Sequence, residues 1–170
     1  MDRIEEKICQ IIDSKKDEIM AFGRDIFCHA ELGYKEHRTS QKFVEEMEKL
    51  GLTCETGLAI TGVKSYLKPK GSQEGPTLAV IGEMDALPIP EDSGEEFSSE
   101  VPGKMHGCGH DMHTAMLLGA AKLLKAHEGE LEGTVKLEFQ PAEEIFQGSL
   151  DMLKNGLLEN PKVDAAVMFH

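Results

Sequence analysis

The hydrophobic pattern of the first 50 residues predicts two amphipathic helices. In residues 1–22 the isoleucines recur at close to the helical repeat, which favours a helix that runs towards Gly23. A second helix is predicted to begin near Thr39, a good capping residue, and to end at Gly51. The segment between them, residues 28–36, is polar and is interpreted as a connector.

The middle of the chain predicts strands and a long loop. The hydrophobic pattern of residues 52–67 is irregular at first and then alternates between apolar and polar residues, which is typical of a hairpin or a sheet edge. After a turn at 71–76, residues 77–82 are almost wholly apolar, as in a strand buried on both faces. Residues 89–105 are rich in proline, serine, glycine and acidic groups, and loops of this length usually lie near a functional site.

The last third of the chain alternates helices and strands. It predicts a helix over 114–126, a strand over 134–139, a helix over 145–155 and a strand over 165–169. This order indicates an α/β fold with a layered, mostly parallel sheet flanked by helices. Ligands bind such sheets outside the carboxyl ends of the strands. Asp85, Glu143, Glu144 and His170 each follow a predicted strand, so we expect them to converge on one edge.

Composition excludes several classes of function. The 170 residues are 40% hydrophobic, enough for one core, and no linker divides them. The net charge of −13 disfavours binding to nucleic acid or to an anionic membrane. No apolar run approaches the roughly 20 residues of a membrane helix, and the N-terminus is charged, so we expect a cytoplasmic protein. The four scattered cysteines are expected to be reduced thiols.

Residues 106–113, with the sequence HGCGHDMH, contain side chains that bind divalent metals. The glycines around Cys108 allow the backbone to bend so that Cys108 and His110 face one cation. The spacing alone fits equally well a buried cysteine followed by a helix-capping histidine. His106 and His113 fit a role as metal ligands and a supporting role equally well.

The acidic residues that follow two predicted strands fit hydrolytic chemistry. Glu143 and Glu144 are adjacent, so their side chains diverge: one can bind metal while the other carries a proton. The alternative is a solvated acidic start of a helix. Asp85 can orient or bridge a ligand, or be a turn residue, and Glu83 can add supporting charge beside it. The remaining histidines are expected at the surface or in the connector.

Four segments together resemble a known family. They read MDALP at 84–88, MHGCGHDMHTAMLLGAA at 105–121, GTV to FQPAEE at 133–144, and VDA to the histidine at 163–170. They are similar to the amidohydrolase branch of the aminoacylase/carboxypeptidase metallopeptidase superfamily, which includes hippurate hydrolase and the indole-acetyl-amino-acid hydrolases. The resemblance runs from about Arg24 to the last residue and implies a zinc-exopeptidase-like fold. It implies that Glu143 is the general base, that Asp85 is a second catalytic residue, and that the metal ligands are Cys108, His110, Glu144 and His170.

The resemblance also implies two divalent metal ions. The sulfur ligand favours zinc, and manganese or cobalt are compatible. Two positions depart from the family pattern: Glu83 stands where aspartate is more common, and residues 27–30 read FCHA where many members have His-x-His-Pro. Family members are more than twice as long. Residues 1–170 are therefore expected to be the N-terminal part of the catalytic domain, without the lid and dimerisation domain or the last histidine ligand. The full-length protein is expected to be an active enzyme and a homodimer, whereas residues 1–170 alone are expected to be inactive.

The main functional hypothesis is metal-dependent hydrolysis of the amide bond of N-acyl amino acids or small aminoacyl conjugates. The substrate is then a small molecule or a peptide. One alternative is a catalytically inactive half-domain that binds metal weakly. The other is a dipeptidase or exopeptidase of the same superfamily. The sequence alone does not distinguish among these hypotheses, because no substrate pocket can be identified from it.

Overall fold

The computed structural model describes residues 3–68, 75–168 and 170. Its elements follow one another as α1 (Arg3–Cys28), α2 (His37–Lys49), β1 (Cys54–Leu58), β2 (Gly62–Leu67), β3 (Thr77–Glu83), α3 (His110–Ala126), β4 (Thr134–Gln140), α4 (Gly148–Lys154) and β5 (Ala165–Met168). A short 3₁₀ turn, Glu128–Glu130, lies between α3 and β4. Phe169 and most of the turn predicted at 71–76 lie outside the described residues.

The strands form one five-stranded sheet in the order β1-β2-β4-β3-β5. Strand β3 pairs in parallel with β4 and with β5, whereas β2 is antiparallel to both β4 and β1. Strands β1, β3, β4 and β5 therefore point in one direction and β2 points in the other. The prediction of a mostly parallel sheet flanked by helices is confirmed, and so is the hairpin over residues 52–67.

The main core lies between α1, α2, α3 and one face of the sheet. On β4, Val135, Leu137 and Phe139 point towards these helices. They belong to one apolar cluster with buried residues from the helices and from β2. Those from the helices are Phe22, Ile26, Phe43, Met47, Leu117 and Leu118, and those from β2 are Val63 and Leu67. The alternation of β4 that is visible in the sequence thus marks the face that packs on the helices.

The other face of the sheet buries charged residues. Lys136 on β4 is fully buried, and its Nζ donates hydrogen bonds to the carbonyls of Leu157, Glu159 and Pro161 at 2.6–3.1 Å. These carbonyls belong to the segment that follows α4, so that segment covers this face. Glu138, also fully buried, lies 3.9 Å from the Lys136 ammonium. A second apolar cluster contains Leu58, Ala59, Met152 and Leu157, and Leu157 also provides one of the carbonyls bound by Lys136.

Helix α1 does not end near Gly23, as predicted, but continues to Cys28. A Cβ atom at Gly23 would lie 3.2 Å from the Cβ of Ala115 on α3. Glycine therefore permits a close approach of the two helices. Tertiary packing offsets the low helix propensity of this residue.

Helix α2 begins at His37 rather than at Thr39. The Glu31 carboxylate accepts hydrogen bonds from the backbone amides of Arg38 and Thr39 at 3.1 and 2.8 Å, and from the Thr39 hydroxyl at 3.0 Å. Amides in the first turn of a helix have no partner within the helix. A residue of the connector, and not Thr39, satisfies them here.

Two other boundaries differ from the prediction near the candidate site. Helix α3 begins at His110, four residues before the predicted start, and α4 begins at Gly148 instead of residue 145. Residues 143–146 form a turn, in which the Phe146 amide donates to the Glu143 carbonyl at 2.7 Å. As a result, His110 is the first residue of α3, and Glu143 and Glu144 lie in a turn instead of near the start of a helix.

The described part of the chain contains no helix that is long and apolar enough to span a membrane. None of the four cysteines, all of which the structure describes, forms a disulfide bond, in agreement with the prediction of reduced thiols. Strand β5 is exposed along its whole length at the edge of the sheet.

Candidate metal centre

Four separate segments meet at the carboxyl ends of the parallel strands. They are the end of β3, the start of α3 with the residues just before it, the turn after β4, and His170 beyond β5. Cys108, His110 and Glu144 each offer a ligand atom, and these atoms all lie within 4.8 Å of one another. Glu83, His110, His113 and His170 form a second group by the same measure. The Cys108 Sγ lies 3.8 Å from the His170 Nε2, so all four predicted ligands lie in one cluster.

His110 is fully buried and fixed in orientation. Its Nδ1 donates a 2.8 Å hydrogen bond to the backbone carbonyl of Asp85. Its Nε2 is buried without a hydrogen-bond partner among the described residues and lies 3.6 Å from a carboxylate oxygen of Glu143. Burial of the ring lowers the pKa of His110, but the hydrogen bonds to Asp85 outweigh it, and the pKa is raised. The ring therefore presents Nε2 to the cluster.

Asp85 holds the backbone of the glutamate pair. Its side chain is buried, and its Oδ1 and Oδ2 accept hydrogen bonds from the amides of Glu143 and Glu144 at 3.0 and 2.9 Å. The expectation that Asp85 lies near the ligands and orients them agrees with this geometry. A direct role of Asp85 in catalysis stays a prediction.

Glu83 links two histidines of the cluster. It is fully buried, and its two carboxylate oxygens accept hydrogen bonds from the Nδ1 atoms of His113 and His170, each at 2.7 Å. The hydrogen bond to Glu83 raises the pKa of His170. Both rings are thereby fixed with Nε2 away from Glu83. The supporting position that the sequence suggested for Glu83 agrees with this geometry.

The remaining histidines fall into two classes. His106 is buried with neither ring nitrogen hydrogen-bonded, and burial lowers its pKa to about 4. It packs near Phe27, with 6.4 Å between ring centroids. His29, His37 and His127 belong to neither group of ligand atoms, as predicted from the sequence. His29 and His127 pair with acidic residues outside the cluster.

The residues present fit a divalent cation. One carboxylate oxygen of Glu144 and the His110 Nε2 are buried without hydrogen-bond partners, and both belong to the group that contains the Cys108 sulfur. Desolvation and the neighbouring Glu144 carboxylate raise the pKa of the Cys108 thiol. A cation is the partner that satisfies a sulfur, an imidazole and a carboxylate together, and it favours the thiolate.

One residue that supports the site, Glu36, was not predicted from the sequence. Glu36 lies in the segment interpreted as a connector, yet it is fully buried, and its Oε1 accepts a 2.8 Å hydrogen bond from the amide of Ala142. Ala142 immediately precedes the glutamate pair. An acidic residue in a polar stretch is typical of the surface, so no local signal marked it.

Comparison with known proteins gives consistent results. An IAA-amino acid hydrolase ILR1-like 5 of Arabidopsis thaliana is 48% identical over 144 residues, which cover 85% of this chain and 32% of that protein. An N-acyl-L-amino acid amidohydrolase of Geobacillus stearothermophilus is 37% identical over 166 residues, covering 97% of this chain and 44% of that protein. The chain therefore spans less than half the length of these relatives.

A solved structure and a family model agree with these similarities. The crystal structure of a dinuclear metal-binding peptidase of the M20 family from Bacillus subtilis superimposes with a TM-score of 0.87 and 36% identity. The match covers 93% of this chain and 43% of that one. Residues 79–170 match the model of peptidase family M20/M25/M40. Because this segment is more than half of the chain and contains the whole candidate metal centre, the chain belongs to peptidase family M20/M25/M40.

Proposed function

We propose that this chain carries the metal-binding part of a hydrolase that cleaves the amide bond of N-acyl amino acids or small aminoacyl conjugates. The observation that carries the proposal is the position of Glu143. Its carboxylate lies 3.6 Å from the Nε2 of His110, at the edge of the ligand cluster, and its side chain is 23% exposed. A carboxylate that is close to the ligands and open to solvent can act on a water molecule there. The names of the two hydrolase relatives support the substrate class.

The proposed metal ligands are Cys108, His110, Glu144 and His170. Two overlapping groups of ligand atoms, and the dinuclear relative from Bacillus subtilis, support two cations. The sulfur favours zinc, and manganese and cobalt remain candidates. When bound, divalent cations lower the pKa of water and polarise the carbonyl of the scissile amide.

The protein's own side chains would transfer the proton and hold the residues of the site in position. Glu143 would accept a proton from the attacking water and deliver it to the nitrogen of the leaving amine. Asp85 holds Glu143 and Glu144 in position, because each of its carboxylate oxygens accepts a hydrogen bond from one of their backbone amides. Glu83 holds the rings of His113 and His170.

The test combines metal titration with assays of hydrolysis. We expect this chain to bind zinc, and we expect a full-length protein that contains it to release free amino acid from N-acetyl amino acids. Glu143→Gln is expected to retain the metal and to lose at least about a hundredfold in kcat, which is typical of removing a general base. Stoichiometric metal binding without turnover on any amide would favour the inactive half-domain instead. If Glu143→Gln retained full turnover, the assignment of the base would be wrong.

An exopeptidase is the second candidate. The description of the family as peptidases and the peptidase relative from Bacillus subtilis favour it. Rates of hydrolysis of dipeptides and of N-acyl amino acids distinguish the two functions. We expect the larger kcat/KM on N-acyl amino acids, and a larger value on dipeptides would favour the exopeptidase.

A further inference from the structure

Three consecutive backbone amides, those of Ala142, Glu143 and Glu144, are each bound by a buried carboxylate. Asp85 binds the second and third, and Glu36 binds the first at 2.8 Å. Both acids are almost completely shielded from solvent. A buried amide that loses its acceptor is costly, so these bonds restrict the turn strongly.

The conformation of Ala142 requires such a restraint. Its φ is +54°, in the left-handed region that L-residues other than glycine rarely adopt. The residue before it is Pro141, which has no amide hydrogen and cannot help to hold the turn. The Ala142 carbonyl accepts hydrogen bonds from the amides of Gln147 and Gly148 within the same turn, whereas the Glu36 carboxylate restrains the Ala142 amide from a distant part of the chain.

Glu36 itself is held on its other side. Its Oε2 accepts a 2.6 Å hydrogen bond from the hydroxyl of Thr61, in the turn between β1 and β2. The connector that carries Glu36 also packs tightly on the site, because a Cβ at Gly33 would lie 3.0 Å from the Cα of Ala142 and 3.4 Å from a carboxylate oxygen of Asp85. Glu36 is therefore itself held in position, by Thr61 and by the packing of its connector, and can restrain the turn.

We propose that Glu36 is a positioning residue for the metal centre, which holds Ala142 in its left-handed conformation and so aims Glu143 and Glu144 at the ligand cluster. This inference rests on the proposed function for its consequences in metal binding. The positioning itself is a property of the metal-free chain and can be tested separately.

The main test compares Glu36→Leu with Glu36→Gln. Leucine removes both hydrogen bonds, whereas glutamine can accept from the Ala142 amide through its oxygen and donate to Thr61 through its nitrogen. In the metal-free chain we expect hydrogen exchange at the amides of residues 142–144 to accelerate about tenfold or more in Glu36→Leu and to change little in Glu36→Gln. Equal exchange in Glu36→Leu and the original chain would overturn the proposal.

Cobalt binding tests the effect on the metal centre. We expect Glu36→Leu to weaken Co²⁺ binding about tenfold and to alter the visible absorption of the bound ion, which reports its ligand geometry. Adding Ala142→Gly to Glu36→Leu should restore only part of the affinity, because glycine adopts the left-handed conformation freely but leaves the amide without its acceptor. Unchanged affinity and spectrum in a folded Glu36→Leu would overturn the proposal.

A matched control separates positioning from the loss of any buried acid. Glu138 is as fully buried as Glu36 but is not bonded to the turn, so Glu138→Leu should leave exchange at residues 142–144 unchanged. Accelerated exchange in both variants would contradict the specific role of Glu36. If the original chain bound no cobalt, the proposed function would fail, and the exchange measurement would still decide whether Glu36 positions the turn. Should Glu36→Leu fail to fold, Glu36→Asp replaces it, because its carboxylate is too short to reach both partners, and normal exchange there would overturn the proposal.

Discussion

At the scale of single residues, Glu138 is, with His106, one of two residues in the described part of the fold whose side-chain polar atoms are all buried without a hydrogen-bond partner. It is fully buried, neither carboxylate oxygen has a hydrogen-bond partner, and Lys136 lies 3.9 Å away. Burial raises the pKa of Glu138 to about 7, and the attraction of Lys136 only partly opposes this shift. The folded state therefore holds the Glu138 proton more tightly than the unfolded state does.

The raised pKa of Glu138 predicts a loss of stability with rising pH. The stability that results from the tighter binding of the Glu138 proton in the folded state is fully present below the ordinary pKa of a glutamate. It is lost as pH rises to about 7. Glu138→Gln cannot ionise, so at pH 8 we expect it to increase the free energy of unfolding by on the order of 2 kcal/mol, and to change it little at pH 4. Urea denaturation across this pH range measures the effect.

Glu55→Gln is the matched control for charge. The hydrogen bond from Lys64 lowers the pKa of Glu55, so its ionised form stabilises the fold. Removing this charge should therefore lower stability at pH 8, opposite to Glu138→Gln. If the two variants shifted stability in the same direction, the change in net charge alone would account for both.

Glu83 leads to a prediction about metal affinity. Its two oxygens accept from His113 and His170, and a glutamine offers only one acceptor oxygen for two donating rings. Glu83→Gln should therefore release one ring and weaken zinc binding by about 10- to 100-fold, as for other residues that orient metal ligands. Competition titration with a chelator measures the affinity.

The surface pair of His127 and Glu130 provides the comparison for Glu83. Their side chains also form a histidine–carboxylate contact, at 3.1 Å, but outside the cluster. Glu130→Gln removes the same charge and should leave zinc affinity unchanged. An equal loss of affinity in both variants would mean that net charge, and not orientation of the rings, controls binding.

The convergence of Glu144 and His170 on one edge of the sheet could be predicted because each follows a strand. The complete set of proposed ligands was implied by the family resemblance, and the structure brings Cys108, His110, Glu144 and His170 into one cluster. Their roles in chemistry stay predictions. Glu36 could not be predicted, because its burial depends on the chain folding back from α2 to the turn 106 residues later. Local sequence pattern contains no information about such contacts.

At the scale of elements, the start of α4 determines the shape of the turn that carries the glutamate pair. A Cβ at Gly148, the first residue of this helix, would lie 1.5 Å from the carbonyl oxygen of Pro141. Gly148→Ala should therefore push the helix and the turn apart and destabilise the fold by about 2 kcal/mol or more. Chemical denaturation measures this loss.

Gly129→Ala is the control for Gly148→Ala. A Cβ at Gly129 would meet no atom within 4 Å, so the substitution should change stability by less than about 0.5 kcal/mol. Wild-type stability in Gly148→Ala would show that α4 can shift without cost, and the close packing of its first residue would then have no role in the turn.

The elements were predicted in kind, and the starts of β3, β4 and β5 and the end of α3 agree with the structure, whereas the starts of α2, α3 and α4 and the end of α1 differ. Alternation along β4 and the helical repeat in α2 agree with the structure, because burial of one face imposes a period. The start of α3 at His110 was not predicted, because the residue before it, Gly109, adopts a left-handed conformation with φ of +83° in place of an ordinary cap. The end of α1 was displaced by packing of Gly23 on α3.

At the scale of the whole molecule, the parallel order of β3, β4 and β5 is what makes a metal centre possible. Parallel strands bring their carboxyl ends to one edge, so residues that lie 25–87 positions apart in the sequence become neighbours. This convergence could be predicted from the order of strands and helices. The reversal of β2 and its place beside β4 could not, because residues 52–67 indicate a hairpin but not its partner in the sheet.

Metal binding should therefore stabilise the entire fold. The proposed ligands come from the start of α3 and the residues just before it, from the turn after β4 and from His170 beyond β5, so an unfolded chain does not hold them together. Zinc at about 100 times its dissociation constant should add about 2.7 kcal/mol to the free energy of unfolding, equivalent to a rise in Tm of about 5–10 °C for a chain of this size. Cys108→Ser should reduce this rise by more than half, whereas Cys9→Ser, on the exposed surface of α1, should not. Thermal melts with and without zinc measure both, and a zinc-dependent rise that was equal in the two variants would remove Cys108 from the ligand set.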